Sequence, residues 1–135
     1  MKPVQFVAAA AVAVFGVIAS PLSLGQIVVP GIERADLIQN DIEAPGRQVV
    51  QTRVDFAPGV ASLKHAHPGE EVAYVLEGTL RYELEGRAPI TLKAGESLFI
   101  PAGVAHVARN VGTVKASELA TYILRKGEPL ATQAK

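Results

Sequence analysis

The feature that most restricts the fold of this chain is a succession of short segments rich in β-branched and apolar residues, each followed by glycine or proline. Turn-forming residues recur at intervals of about eight to twelve positions. After residue 25, no segment keeps a helical periodicity over three turns. The sequence therefore predicts an all-β sandwich or barrel. The expected strands cover residues 48–56, 72–76, 79–85, 90–92, 97–100, 104–110 and 115–124.

The first 25 residues differ in composition from the rest of the chain. Lys2 supplies one positive charge, residues 4–18 are apolar, and Pro21 is followed by small residues. This pattern is typical of a secretory signal peptide over residues 1–25, and it predicts export across the inner membrane to the periplasm with no stable membrane association after cleavage. An uncleaved membrane anchor is the alternative, since the apolar stretch is just long enough to span a bilayer.

Charge and cysteine content exclude several kinds of partner and ligand. The chain has 13 basic and 13 acidic residues, and loss of Lys2 would leave 12 against 13, a formal net charge of −1. Without a run of lysine and arginine, nucleic acid is not an expected partner. The absence of cysteine excludes disulfides, a lipoprotein anchor and thiolate metal ligands.

A length of 135 residues suits one domain. We expect residues 26–47 to form an N-terminal arm with one short strand, residues 48–124 to form the barrel, and residues 125–135 to form a C-terminal tail.

All three histidines lie in two spaced motifs. His65 and His67 are two positions apart, so on a strand both imidazoles project from one face. A Pro-Gly pair then permits a turn, and Glu71 opens the next strand. His106 follows the turn at residues 101–103 and can approach from the other side. Three imidazoles and one carboxylate suit one divalent transition metal, whether Mn, Fe, Co, Ni, Cu or Zn.

These motifs resemble the paired signature of the cupins. The first pattern, Gly-x5-His-x-His-x3-Glu-x6-Gly, and the second, Gly-x5-Pro-x-Gly-x2-His-x3-Asn, are matched by Gly59, His65, His67, Glu71, Gly78, Gly95, Pro101, Gly103, His106 and Asn110. The resemblance covers residues 48–124. It implies a double-stranded β-helix (jelly-roll) cupin barrel, a metal held by His65, His67, Glu71 and His106, and a homodimer.

Roles beyond metal binding are predicted for several residues in and around the motifs. Glu71 could detach partly from the metal and act as a base, and Glu70 could be a second acid or base or a solvated carboxylate. Apart from Glu70, no obvious second catalytic group accompanies the motifs. If the barrel interior carries Ala73, Val75 and Phe99 near the ion, the pocket is small and mostly apolar. Asn110 is expected to hydrogen-bond to backbone groups.

Three functions follow from the resemblance. A metal-dependent, dioxygenase-like enzyme acting on a small organic molecule is the leading hypothesis. A non-redox isomerase, lyase or decarboxylase would use the ion as a Lewis acid. A binding module would capture a small ligand without turnover. Because one fold can host unrelated functions, the motifs specify the site more closely than the reaction.

Overall fold

The computed structural model describes residues 27–135, so the predicted signal segment, residues 1–25, lies outside the described residues. This range contains ten strands and no α-helix: β1 (Ile32–Asp41), β2 (Arg47–Phe56), β3 (His65–Ala66), β4 (Glu70–Glu77), β5 (Thr79–Leu84), β6 (Ile90–Lys93), β7 (Ser97–Ile100), β8 (His106–Asn110), β9 (Ala116–Arg125) and β10 (Thr132–Gln133). No helix among residues 27–135 is long and apolar enough to cross a membrane.

The strands form two five-stranded sheets, ordered β1-β2-β9-β4-β7 and β10-β3-β8-β5-β6. Every paired strand is antiparallel to its neighbour. Successive strands cross repeatedly between the sheets, as in a jelly roll. The predicted all-β class and the jelly-roll barrel are therefore confirmed.

The core lies between the two sheets and follows the period of two along each strand. On β5, Leu80, Tyr82 and Leu84 are buried while the residues between them are exposed or half-buried. They pack against inward residues of the other sheet, including Val54, Phe56, Val75, Ile100 and Leu124. Full burial of one such side chain contributes about 1.5–3 kcal/mol, so this alternation is the main source of stability.

The predicted arm and tail are both parts of the barrel. The arm contains the ten-residue β1, which pairs with β2 from Ile32 opposite Phe56 to Asp41 opposite Gln48. The tail contains β10, which pairs with β3. The expectation of a single short strand in residues 26–47 therefore underestimated the length of β1. Most of β1 is exposed at the edge of its sheet, and its register shifts between Asp36 and Ile38, so the sequence there lacks a period of two.

Two glycines allow β4 to lie close beside β9. A Cβ on Gly69 would lie 1.8 Å from the carbonyl oxygen of Ile123. Gly78 has a φ of +74°, and its Cβ would approach Ala116 at 2.7 Å. Neither place accepts a larger side chain without a backbone shift. These close contacts position β4, which carries Glu71 into the barrel.

Candidate metal centre

The structure brings the predicted histidines and Glu71 together in the barrel interior. His65 on β3 is paired with His106 on β8, and His67 follows β3 directly. Glu71 comes from β4 of the opposite sheet. One ring nitrogen from each histidine lies within 4.8 Å of the others. All four side chains are buried, with exposed fractions of 2–7%.

Each histidine points its Nδ1 atom at a backbone carbonyl oxygen. The pairs are His65 with Leu63 at 2.8 Å, His67 with Leu130 at 2.6 Å and His106 with Val104 at 3.0 Å. A carbonyl oxygen can only accept, so each Nδ1 carries a proton and donates it. In the neutral imidazoles every Nε2 then offers a lone pair, which is the tautomer that Nε2 metal ligation requires.

Two buried polar atoms at the centre have no hydrogen-bond partner among the described residues: His67 Nε2 and Glu71 Oε2. They lie 3.1 Å apart, and Glu71 Oε2 is 3.4 Å from His106 Nε2. Lone pairs facing each other without a donor are costly in a buried site. A cation among these atoms would relieve the conflict, and the donor set of imidazole and carboxylate fits a divalent transition metal.

The electrostatics of His65 and Glu71 favour the protonation states that metal binding needs. Burial lowers the pKa of His65 to about 4, helped by His106, so this imidazole is neutral. Burial alone would raise the pKa of Glu71, but His106 and His67 outweigh it and lower this pKa to about 2. Burial also opposes a charge on His106, yet Glu71 raises its pKa. A proton on His106 is therefore the competitor of a metal ion.

A second buried carboxyl group, Glu118 on β9, was missed by sequence reasoning. Its Oε2 accepts a hydrogen bond of 2.5 Å from the Tyr82 hydroxyl. Burial and the nearby negative charge of Glu71 raise the pKa of Glu118 to about 7. The signal was present in the strand pattern: Glu118 occupies the same inward phase of β9 as Ala120 and Tyr122. A charged residue in the buried phase indicates a polar interior.

Tyr122 completes the wall behind His67. Its ring centroid lies 4.6 Å from that of His67, and its backbone position is paired with Glu71. Burial raises the pKa of the Tyr122 hydroxyl well above its ordinary value, so the phenol remains neutral. The interior beside the histidines is thus more polar than the sequence suggested.

Strand phase separates the two alternatives for Glu70 and corrects the expectation for Phe99. Glu70 occupies the outward phase of β4, opposite to Glu71, and its Oε2 lies 3.8 Å from Arg47 Nη1. A catalytic role for Glu70 has no geometric support. Phe99 is 54% exposed on the outer face of its sheet and does not line the interior. Glu70 therefore matches the solvated-carboxylate alternative, and the misplacement of Phe99 follows from strand phase, which proximity in sequence does not reveal.

The structural role predicted for Asn110 is confirmed. Its Nδ2 donates to the carbonyl oxygens of Phe56 and Val114, at 3.1 and 2.8 Å. Its Oδ1 accepts from the amide of Gly112 at 2.9 Å. Asn110 therefore fixes the turn between β8 and β9 and joins it to β2.

Two antiparallel sheets enclosing three convergent imidazoles and a carboxylate define a small β-barrel with a candidate metal centre. Residues 52–127 match the family model described as the cupin domain. This match covers more than half of the chain, and the chain belongs to the cupin family.

Similar proteins include plant and bacterial cupins. A germin-like protein (subfamily 2 member 1) of Arabidopsis thaliana is 38% identical over 76 residues, which are 53% of this chain and 35% of that protein. The solved structure of an oxalate oxidase with the substrate analogue glycolate has a TM-score of 0.63 and 27% identity, covering 86% of this chain and 62% of that one. A predicted oxalate decarboxylase from Thermotoga maritima has a TM-score of 0.59 and 29% identity, covering 69% and 80%. The chain spans about a third of the length of the germin-like relative.

Proposed function

We propose that this chain is a metal-dependent, dioxygenase-like enzyme that acts on a small organic molecule. One divalent transition metal (Mn, Fe, Ni, Co, Cu or Zn) would be held by His65, His67, Glu71 and His106. The observation that carries the proposal is the buried pair of His67 Nε2 and Glu71 Oε2, which lacks any donor between its atoms. Three backbone carbonyl oxygens hold the imidazoles in the tautomer that ligation needs.

The residues in and around the candidate metal centre have different roles in the proposed reaction. A redox-active ion bound here supplies activation of the substrate and of dioxygen. Glu71 has a pKa of about 2, so it is a carboxylate at neutral pH and serves as a metal ligand. To act as a base, it would first have to leave the ion. Glu118 has a pKa of about 7 and can hold or release a proton near neutral pH beside the cluster. Tyr82 orients that carboxyl group through the 2.5 Å hydrogen bond.

The comparisons support a small-molecule substrate. Oxalate oxidases from barley and wheat are among the relatives, at 34% identity over 82 residues. A solved oxalate oxidase holds glycolate. These partial matches support the class of substrate, and we propose no individual compound.

Elemental analysis of protein purified from its own host compartment tests the proposal. We expect about one equivalent of a transition metal in the native protein and in Arg109→Ala, an exposed residue on the strand of His106. We expect loss of that metal in His106→Ala. Less than a few tenths of an equivalent in the native protein, or unchanged metal in His106→Ala, would overturn the metal centre. Oxygen-electrode measurements then test the reaction class, because equal turnover with and without dioxygen excludes a dioxygenase.

The second candidate is a non-redox lyase, isomerase or decarboxylase, and one observation favours it. The buried Tyr82–Glu118 pair is a proton-handling group close to the cluster, as general acid–base chemistry requires. Similarity to a predicted oxalate decarboxylase is in keeping with this class. Full turnover with Zn, which has no redox chemistry, would decide for this candidate. Binding of a compound without turnover under either condition would indicate a binding module.

We also propose that the chain is exported to the periplasm and cleaved before Gln26. The support is the sequence pattern of Lys2, the apolar residues 4–18 and the small residues that follow Pro21. N-terminal sequencing of the protein from an osmotic-shock fraction should begin at Gln26. An intact N-terminus in the membrane fraction would instead show an uncleaved anchor.

We further propose that the protein forms a homodimer through the outer face of β4 and β7. Val72, Tyr74, Leu76 and Phe99 are large apolar residues exposed on that face by 39–54%. The outward positions of β4 from Val72 to Leu76, and those of β7, carry no charge. Adjacent exposed apolar side chains of this kind mark an association surface. A second copy presents the same flat, uncharged face, which suits an isologous contact.

A further inference from the structure

A cleft leads from the protein surface to His65. It lies between the edge strand β1 and the segments around β3 and β10, and it encloses about 350 Å³ of empty space including its open mouth. Its walls are mostly apolar, and its polar lining residues are Arg34, Ser62 and His65. The apolar walls are formed by Ile27, Val29, Ile32, Leu63, Leu130 and Ala131.

Arg34 points into the barrel from β1. It is paired with Val54 on β2, and Val54 is paired with Glu118 on β9. Residues paired across neighbouring strands project from the same face of the sheet. Val54 and Glu118 are buried in the interior, with exposed fractions of 0% and 5%. The Arg34 guanidinium therefore lies on the inner face, between the mouth of the cleft and the polar interior.

Arg34 has no ion-pair partner within residues 27–135. No carboxylate oxygen lies within 4.0 Å of its guanidinium, and among the described residues the same holds for the exposed Arg87, Arg109 and Arg125. Arg34 is also half-buried, so part of its hydration is already lost. The Glu118 carboxyl group is nearby, but it is engaged by Tyr82. The guanidinium also hydrogen-bonds with the Tyr122 hydroxyl. Because it carries five N–H donors, the remaining donors of this partly desolvated group are available to an anion.

The shape of the cleft restricts that anion. The empty space of about 350 Å³ includes the open mouth of the cleft, so the part enclosed between the walls is narrow. The ligand must therefore be slender. Apolar walls disfavour a second charged group away from Arg34, because it would be desolvated without a partner. A carboxylate matches the planar fork of a guanidinium in two parallel hydrogen bonds.

We propose that Arg34 binds the carboxylate of a short, slender carboxylic acid whose other end reaches the cluster of His65, His67 and His106. This inference rests on the proposed metal centre and adds the substrate class and its anchoring residue. Arg34 is thus assigned as a specificity-determining residue.

The test measures binding by titration calorimetry to the Mn²⁺-loaded mature chain. The probes are glycolate and propionate, each compared with its neutral amide. We expect the native protein to bind each acid at least tenfold more tightly than its amide. Arg34→Gln should lose tenfold or more of the affinity for the acids and keep its affinity for the amides. The control is Arg87→Gln, an exposed turn residue with the same change of charge, and it should bind like the native protein.

The outcomes separate the two proposals. Failure of the native protein to bind Mn²⁺ or any of the other five proposed metals would overturn both the metal centre and this inference. Normal Mn²⁺ content with Arg34→Gln within twofold of the native affinity, or with no preference for acid over amide, would overturn this inference alone. Arg34→Lys is a second variant that separates a folding defect from a binding defect. It keeps the positive charge near Glu118 but lacks the planar guanidinium that forms two parallel hydrogen bonds to a carboxylate. Arg34→Lys with normal Mn²⁺ content and weakened binding of the acids supports the assignment, and unchanged binding contradicts it.

Discussion

At the scale of single residues, the most consequential side chain outside the cupin motifs is Glu118. Its carboxyl group is enclosed by the two sheets and bonded to Tyr82. Burial raises its pKa to about 7 in the folded protein, against about 4.5 when unfolded. The folded state thus holds this proton more tightly. The stabilising contribution of the group is complete below pH 4.5 and is lost as the pH rises through 7.

Replacing this carboxyl group should therefore change how stability depends on pH. In metal-free protein, Glu118→Gln should remove the loss of stability between pH 5 and pH 8. The change relative to the native protein should be on the order of 2 kcal/mol in favour of the variant at pH 8. Urea unfolding at both pH values measures it. Glu83→Gln, exposed on β5, is the control and should show no such pH-dependent difference. Parallel stability curves for Glu118→Gln and the native protein would contradict the raised pKa.

The sequence motifs predicted which residues meet at the centre, but not which residues surround it. His65, His67, Glu71 and His106 were predictable because residue types, strand period and turns all agreed. Glu118 and Arg34 come from strands remote in sequence, and only the register of β1, β2 and β9 brings them into one row. Such long-range register is set by tertiary packing, which local sequence patterns do not encode.

At the scale of elements, β4 depends on the absence of a side chain at its entry. Gly69→Ala would place a Cβ 1.8 Å from the carbonyl oxygen of Ile123, so β4 must move away from β9. We expect a loss of about 1–3 kcal/mol in the free energy of unfolding. Mn²⁺ affinity should fall as well, because Glu71 moves with the strand. Urea unfolding and Mn²⁺ titration measure the two effects.

Gly112→Ala is the matched control for that substitution. The nearest atom to its added Cβ would be Asn110 Oδ1 at 3.4 Å, an ordinary contact. It should therefore cost much less than Gly69→Ala and leave Mn²⁺ affinity unchanged. Equal losses in both variants would show that the close approach of β4 to β9 is not what makes Gly69 necessary.

The strands that the sequence predicted well are those with one buried face. The observed β5, β7 and β9 lie within one residue of the expected 79–85, 97–100 and 115–124. The failures were β1, which is largely exposed and carries a register shift, and β10, which has two residues. These two strands bury little apolar surface, so the hydrophobic period that reveals a strand is absent from them, whereas the edge strand β7 keeps it through Leu98 and Ile100. The tail still reaches the centre, since the Leu130 carbonyl oxygen holds His67.

At the scale of the whole molecule, the candidate metal centre connects the two sheets. His65 and His106 come from one sheet and Glu71 from the other. An ion bound there stabilises only the folded state, because the unfolded chain does not keep these atoms together. At a free Mn²⁺ concentration of about 100 times the Kd, the free energy of unfolding should rise by about 2.7 kcal/mol.

Chelation provides the measurement of that effect. Urea unfolding with Mn²⁺ and with EDTA should differ by this amount in the native protein and in Arg109→Ala. His106→Ala should show no difference between the two conditions. A gain in His106→Ala as large as in the native protein would mean that Mn²⁺ stabilises the fold from another place.

Association of two copies is the remaining property that belongs to the whole molecule. Phe99 is paired with Val72 across β7 and β4, so the two exposed side chains form one apolar row. Phe99→Glu places a charge in this row, and its burial in an interface would be costly. We expect light scattering after gel filtration to give twice the chain mass for the native protein and the single chain mass for Phe99→Glu. Val114→Glu alters an apolar residue that is 63% exposed in the turn between β8 and β9, outside the row of Val72 and Phe99, and it should remain dimeric. A native protein that is monomeric at all concentrations, or a dimer that survives Phe99→Glu, would show that this face is not the contact between copies.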